Sequence, residues 1–193
     1  QGTTIVAVNV KNLSELKNKL ETATFDALRE FLEKQVSMEI EENKGIMQKV
    51  SDYSLMGIFS AATKQFRHEM AAVKAALKIR AALENYNRKL KDKLEYGIGV
   101  NTGELIVSTN KVMQYTSMGN TIALAKKLAE MSKNDVYTAS DTYSRIAPEV
   151  QGSKIGNVNT SRGNIDIYSV KSIGGREVYK SYLTDILNRI KKD

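Results

Sequence analysis

The chain has 193 residues, 41% of them apolar, and a formal net charge of +7, which is length and apolar content enough for one domain with a substantial core. It contains no Cys and a single His, which excludes a disulfide framework and thiolate metal sites and leaves Ser-His-Asp or multi-His chemistry almost nothing to work with. The positive charge suits a nucleotide, a nucleic acid or plain solubility, but Lys74, Lys78, Lys89, Lys91, Lys93, Lys126 and Lys127 are spread along helix faces without interleaved aromatics. That reads as solvated surface rather than a nucleic-acid footprint, and no nucleic-acid module signature is present. The opening QGTTIVAVNV is not a signal peptide, and no apolar stretch approaches the roughly 20 residues of a membrane span. No membrane insertion and a cytoplasmic setting are therefore expected. The start at Gln1 rather than Met reads as a domain cut from a longer protein.

Residues 4–10, TIVAVNV, are β-branched and continuous enough for a buried strand. Asn12 or Ser14 is placed to cap a short helix, LSELKNKL, and Thr24 a longer one carrying Phe25, Leu28, Phe31, Leu32, Val36 and Ile40 at helical spacing. Asn43-Lys44-Gly45 closes it, with Gly45 as the expected helix end. GIMQKVSDYSLMGIF, residues 45–59, reads as a hairpin turning at Ser51-Asp52-Tyr53. A helix is expected over about 64–92, then a strand over Leu94–Val100, a tight turn at Asn101-Thr102-Gly103 and a return strand over Glu104–Ser108. Val112–Ser117 reads as a further strand, and Gly119 or Asn120 opens the helix TIALAKKLAEM. Asp135–Thr138 is a short strand, Ser140 caps DTYSRIA, and a last hairpin turns around Ser161–Asn164. Residues 176–192 form an amphipathic helix after Gly174-Gly175, packed on this domain or serving as a dimer contact. The order implies an α+β fold, helices against a mostly antiparallel sheet, with no internal repeat.

Several of these stretches together resemble the catalytic domain of class III adenylate and guanylate cyclases, over about residues 4–172. HEMAAVKAALKIRAALENYN is similar to the family's long helix after its central hairpin. YGIGVNTGELIV looks like its G-I-G-x-H-T-G-E segment, with Asn101 where His is usual. YTSMGNTIALAKKL resembles Y-x-x-x-G-D-T-V-N-x-A-x-R, with Asn120 in place of the Asp, and DVYTASDTYSRI resembles a later strand and helix. The resemblance implies a ferredoxin-like, palm-type sheet: a cyclase homology domain over 1–173, followed by the C-terminal helix at 174–193. It also implies an active site shared between two subunits, where two Asp residues hold divalent metals that activate a 3′-hydroxyl against an α-phosphate.

Carried over residue by residue, the family's site is only partly present. The metal-binding Asp positions fall on Asn9, which carries no charge, and Tyr53, a poor ligand for Mg²⁺. Asp52 lies one place before Tyr53 and is a substitute ligand only if the turn slips by one; its ordinary reading is a turn residue. Lys49 matches the base-reading lysine, leaning towards adenine, and Thr116 its partner position. A strand lysine is otherwise a surface residue. The transition-state Asn falls on Ala123, and the Arg on Lys127, which keeps the charge without the bidentate fork. The phosphate-cradling helix start falls on Lys11-Asn12-Leu13-Ser14.

The leading expectation is thus a degenerate cyclase homology domain that has lost cyclase activity. It would dimerise with itself or with another cyclase-type domain, bind ATP or GTP through Lys49, Thr116 and Lys127, and serve in signalling. The alternatives are a divergent active cyclase, using Mg²⁺ or Mn²⁺ with Asp52, and a ligand-free protein-interaction domain.

Overall fold

The structure, a computed structural model, describes residues 2–60, 66–104 and 116–174, with the side chains of 116–118 excepted. The elements run β1 (Gly2–Val10), α1 (Leu13–Lys19), α2 (Thr22–Glu42), β2 (Ile46–Ser51), β3 (Ser54–Ser60), α3 (His68–Lys89) and β4 (Tyr96–Glu104). They continue with α4 (Thr116–Met131), β5 (Val136–Ala139), α5 (Ser140–Ile146), a single 3₁₀ turn, β6 (Val150–Thr160) and β7 (Gly163–Ile173). The strands form one sheet in the order β2-β3-β1-β4-β5-β7-β6. Every pairing is antiparallel except β4 with β5.

Both faces of the central strands are covered, which explains why TIVAVNV is an unbroken apolar run rather than an alternating one. On one face Val6, Val8 and Val10 of β1 join Leu28, Leu32, Val36 and Ile40 of α2 and Val73, Ile79 and Leu83 of α3 in the main core. On the other, Ile5 and Ala7 meet Met56 of β3 and Ala125 and Ala129 of α4. Asn9 follows Ile5 and Ala7 in the strand alternation and so lies on the α4 side.

The hairpin, the long helices and the last hairpin form as the sequence predicts, but four local readings are corrected. Asn101-Thr102-Gly103 is not a turn. It continues β4 in register with Ile5, Thr4 and Thr3. The glycines there serve close packing instead. A Cβ on Gly97 would lie 1.8 Å from the Ala129 carbonyl oxygen, one on Gly99 2.1 Å from that of Ala125, and one on Gly103 2.1 Å from Thr121 Oγ1. Alternate glycines therefore clear a groove into which α4 sinks, and Asn101 between them donates from Nδ2 to the Thr121 carbonyl at 3.1 Å.

The helix α2 begins at Thr22, two residues before the expected cap, and ends in a Schellman arrangement. Lys44 N–H donates to Glu41 O and Gly45 N–H to Ile40 O. The left-handed residue there is Lys44, with φ of 63°, and Gly45 is needed for another reason, since a Cβ would strike the Phe59 ring at 2.6 Å. Asn12 does not cap α1. Its side chain instead donates to Lys93 O at 2.8 Å and accepts from Glu95 N–H at 2.9 Å, tying the start of α1 to the approach to β4. Finally, Thr116 and Ser117, expected in a strand, open α4. The return strand beyond Glu104, the remainder of the 112–117 strand and the helix at 176–192 lie outside the described residues.

Candidate functional site

The helix α4 separates two clefts, because adjacent residues on a helix diverge by about 100°. Lys126, Ala129 and Glu130 face one; Asn120, Ala123 and Lys127 face the other.

The first cleft, about 320 Å³, is walled by Ala7, Val8 and Asn9 of β1 and by Val50, Ser51, Tyr53 and Ser54 of the β2–β3 hairpin. The structure thus brings Asn9 and Tyr53 together, as the sequence comparison requires. Their neighbour Asp52 goes elsewhere: its carboxylate meets Lys49 Nζ at 3.2 Å and Arg29 of α2 at 3.3 Å. Lys49 follows it. Lys49 stands opposite Leu55, a core residue beneath α2 and α3, and cross-strand partners share a face. Its ammonium reaches Glu33 of α2 at 3.0 Å. Hydrogen bonds that it donates to Glu33 and then to Asp52 raise its pKa, so it is firmly charged. Lys49 therefore lies on the opposite face of the sheet from Asn9. A break in register between Lys49 and Ser51 accompanies this change of direction.

The donor set of this cleft does not suit Mg²⁺ or Mn²⁺, which need anionic oxygens. Asn9 offers a neutral amide and Tyr53 a phenol. Glu130 is the one acidic residue in the described lining, and Lys126 of the same helix lines the cleft beside it. Among the described residues no three His, Cys, Asp or Glu side chains are grouped to hold a metal ion.

The second cleft, about 250 Å³, brings Ala123 and Lys127 of α4 against Asn101–Gly103 of β4, Asp141 of α5 and the β6–β7 turn. Ala123 presents only a methyl group. Lys127 makes no ion pair among the described residues and is joined by Arg162, which sequence reasoning read only as part of a turn. That turn is set by Thr160, whose Oγ1 accepts from the Arg162 N–H at 3.2 Å and donates to Gly163 O at 2.9 Å. Gly163 at φ 103° completes it. The floor is held by a buried hydroxyl chain in which Thr102 Oγ1 bonds Thr4 at 2.8 Å and Thr142 at 2.9 Å, and Thr4 bonds His68 Nδ1 at 2.8 Å.

Thr116 lies at the first position of α4, but its side chain is outside the described residues. The expected phosphate cradle at the start of α1 is otherwise engaged. The Lys11 ammonium donates to the carbonyls of Glu130, at 2.7 Å, and of Ser132, capping the end of α4, and Asn12 is turned to the 93–95 segment. Lys126 was the other residue missed. Its signal was the Lys126-Lys127 pair, which a helix must split between two faces.

Residues 4–183 match the family described as the adenylate and guanylate cyclase catalytic domain. No curated protein matches the sequence. Among solved structures, the chain is similar to the non-canonical dimeric guanylyl cyclase domain of the RhoGC fusion protein from the aquatic fungus Blastocladiella emersonii. That match has TM-score 0.73 at 15% identity, covering 90% of this chain and 97% of that one. It is also similar to the guanylate cyclase domain of RhGC from Catenaria anguillulae in complex with GTP, with TM-score 0.72 at 16% identity, covering 90% and 97%. A third, the adenylyl cyclase CyaB from P. aeruginosa, gives TM-score 0.71 at 21% identity, covering 88% and 93%.

Proposed function

The chain belongs to the adenylate and guanylate cyclase catalytic domain family, and from that premise we propose that it is a member without cyclase activity, a dimerising and nucleotide-binding module of a signalling protein. The observation that carries this reading is the pair of clefts on α4: Asn9 and Tyr53 flank one, Ala123 and Lys127 the other. Cyclisation requires charge stabilisation around the α-phosphate and an activated 3′-hydroxyl. Losing one preorganised group of that kind commonly costs about 10²–10³ in rate, and here several positions have changed.

Dimerisation does not restore the chemistry. A symmetric dimer repeats its contacts and so builds two equivalent sites, each lacking metal carboxylates and the amide donor at position 123. An intact cyclase-type partner leaves either Ala123 and Lys127 or Asn9 and Tyr53 in every composite site. Dimer formation itself is supported by the edge strand β2 and its turn, where Ile46, Val50 and Tyr53 are exposed. An apolar edge that no described strand covers invites a partner. Nucleotide binding is supported by cationic groups in both clefts, Lys126 in one and Lys127 with Arg162 in the other.

The test combines sedimentation across a concentration series with thermal unfolding in ATP and in GTP. A concentration-dependent dimer and a raised melting temperature are expected, since a ligand specific for the folded state must stabilise it, by about 2.7 kcal/mol at a hundredfold excess over Kd. A dimer whose melting temperature neither nucleotide moves would instead identify a ligand-free protein-interaction domain. A monomer at every concentration would refute the dimer.

A further inference from the structure

The cleft beside Asn9 and Tyr53 has kept its walls and lost the net negative charge that a metal site needs. Where the family places two carboxylates around dications, this chain offers neutral donors and a lysine. Lys126 projects from α4 into that cleft and makes no hydrogen bond or ion pair among the described residues. Lys11 lines the neighbouring cleft with Asn9 and Tyr53, its ammonium held by the carbonyls of Glu130 and Ser132. Glu130 is the one carboxylate in the lining, so Lys126 and Glu130 balance there and every other lining residue is uncharged.

A second observation points the same way. Ser51 Oγ, in the wall opposite α4, is buried without a hydrogen-bond partner among the described residues. Buried hydroxyls are nearly always paired, and an acceptor oxygen in the cleft would complete this one. Asn9 Nδ2 and the Tyr53 hydroxyl supply further donors of the kind that phosphate oxygens accept.

We infer that this cleft binds the phosphate chain of a nucleoside triphosphate directly, without a divalent cation, Lys126 taking the place of the metal. The inference rests on the reading that the domain binds a nucleotide. It has a consequence opposite to that of a metal-dependent site. A divalent ion on the phosphates would compete with the Lys126 ammonium for the same oxygens and be repelled by it, so the metal-free nucleotide should bind more tightly.

The experiment is calorimetric titration of ATP, GTP and inorganic tripolyphosphate at constant ionic strength, in EDTA and in excess Mg²⁺. Wild type is compared with Lys126→Ala, Lys126→Arg and a distant control, Lys78→Ala. Nucleotide binding that persists in EDTA, weakens severalfold in Mg²⁺, falls about tenfold in Lys126→Ala and survives in Lys126→Arg and the control is the expected result. Binding that requires Mg²⁺ and ignores Lys126→Ala would overturn the inference while leaving nucleotide binding intact. Tripolyphosphate binding that depends on Lys126, with no binding of ATP or GTP, would support the metal-free phosphate site and refute the nucleotide reading. No binding of any of the three would overturn both.

Discussion

The backbone N–H of Val10 donates to the carbonyl oxygen of Tyr53 at 2.9 Å, which fastens the β2–β3 turn to the end of β1 one residue beyond Asn9. The pairing of Asn9 with Ser54 continues the same register. Together they place Tyr53 at the cleft and leave Asp52 on the side of α2. A one-residue slip that exchanged them would break this bond and turn every side chain of the strand to the other face.

It follows that carboxylates must be introduced at positions 9 and 53 themselves to create a metal site. Asn9→Asp with Tyr53→Asp is expected to bind Mn²⁺ at least about tenfold more tightly than wild type, because hard cations select anionic oxygens. Adding Lys126→Ser should strengthen binding further by removing a competing charge. Electron paramagnetic resonance of free Mn²⁺ reads both steps.

Lys49 is held by Glu33 and Asp52, so any role in reading a base competes with that pairing. Glu33→Gln is expected to raise nucleotide affinity roughly threefold and Lys49→Ala to lower it by a similar factor, the scale of an exposed ion pair. Neither should move the melting temperature appreciably. Calorimetric titration of the two variants checks the signs.

The seat of α4 depends on Gly97 and Gly99, where a Cβ would meet backbone atoms of that helix. Gly99→Ala is expected to cost about 3 kcal/mol, since neither backbone can yield. Gly156→Ala, whose Cβ meets nothing within 4 Å, is the control and should be neutral or slightly stabilising. Urea denaturation of the two variants gives the comparison.

Asp135 joins α3 to β5 and β7. It meets Arg80 at 3.2 Å, Ser169 Oγ at 2.7 Å and Lys171 Nζ at 2.6 Å. Burial pushes its carboxyl up, but the hydrogen bonds from Lys171, Ser169 and the Val136 N–H outweigh that and hold it below the ordinary value. A depressed carboxylate stabilises the fold fully above its unfolded pKa of about 3.9 and loses that contribution as the pH falls through the folded value. Asp135→Asn should therefore cost about 2–3 kcal/mol at pH 7 and less in acid.

His68 acts earlier on the acid limb. Burial lowers its pKa, Glu69 opposes that and Arg145 adds to it. The unfolded imidazole thus takes up its proton first, and stability declines as the pH falls below about 6.5. His68→Gln should remove this step, visible in denaturation midpoints between pH 7 and 5.

The core was legible because its signal is local. The apolar spacing of Phe25 to Ile40, the β-branched run of β1 and the turn residues of two hairpins each encode their own element. Gly103 misled because a glycine permits a turn and a close approach equally, and only α4, some twenty residues later, decides between them. The same limit applies to charge. Asn9, Tyr53, Ala123 and Lys127 were found by their places in motifs, whereas the pairing of Lys49 with Glu33 joins residues sixteen apart, and Lys126 and Arg162 reach their clefts only through tertiary packing.

The most direct measurement is turnover. The purified domain, at concentrations spanning its dimerisation, is incubated with ATP or GTP in Mn²⁺ or Mg²⁺ and the products are resolved by mass spectrometry. The loss of chemistry at Asn9, Tyr53, Ala123 and Lys127 predicts no 3′,5′-cyclic nucleotide above the protein-free control. Cyclic product that grows with dimer concentration and disappears in Lys49→Ala would contradict it.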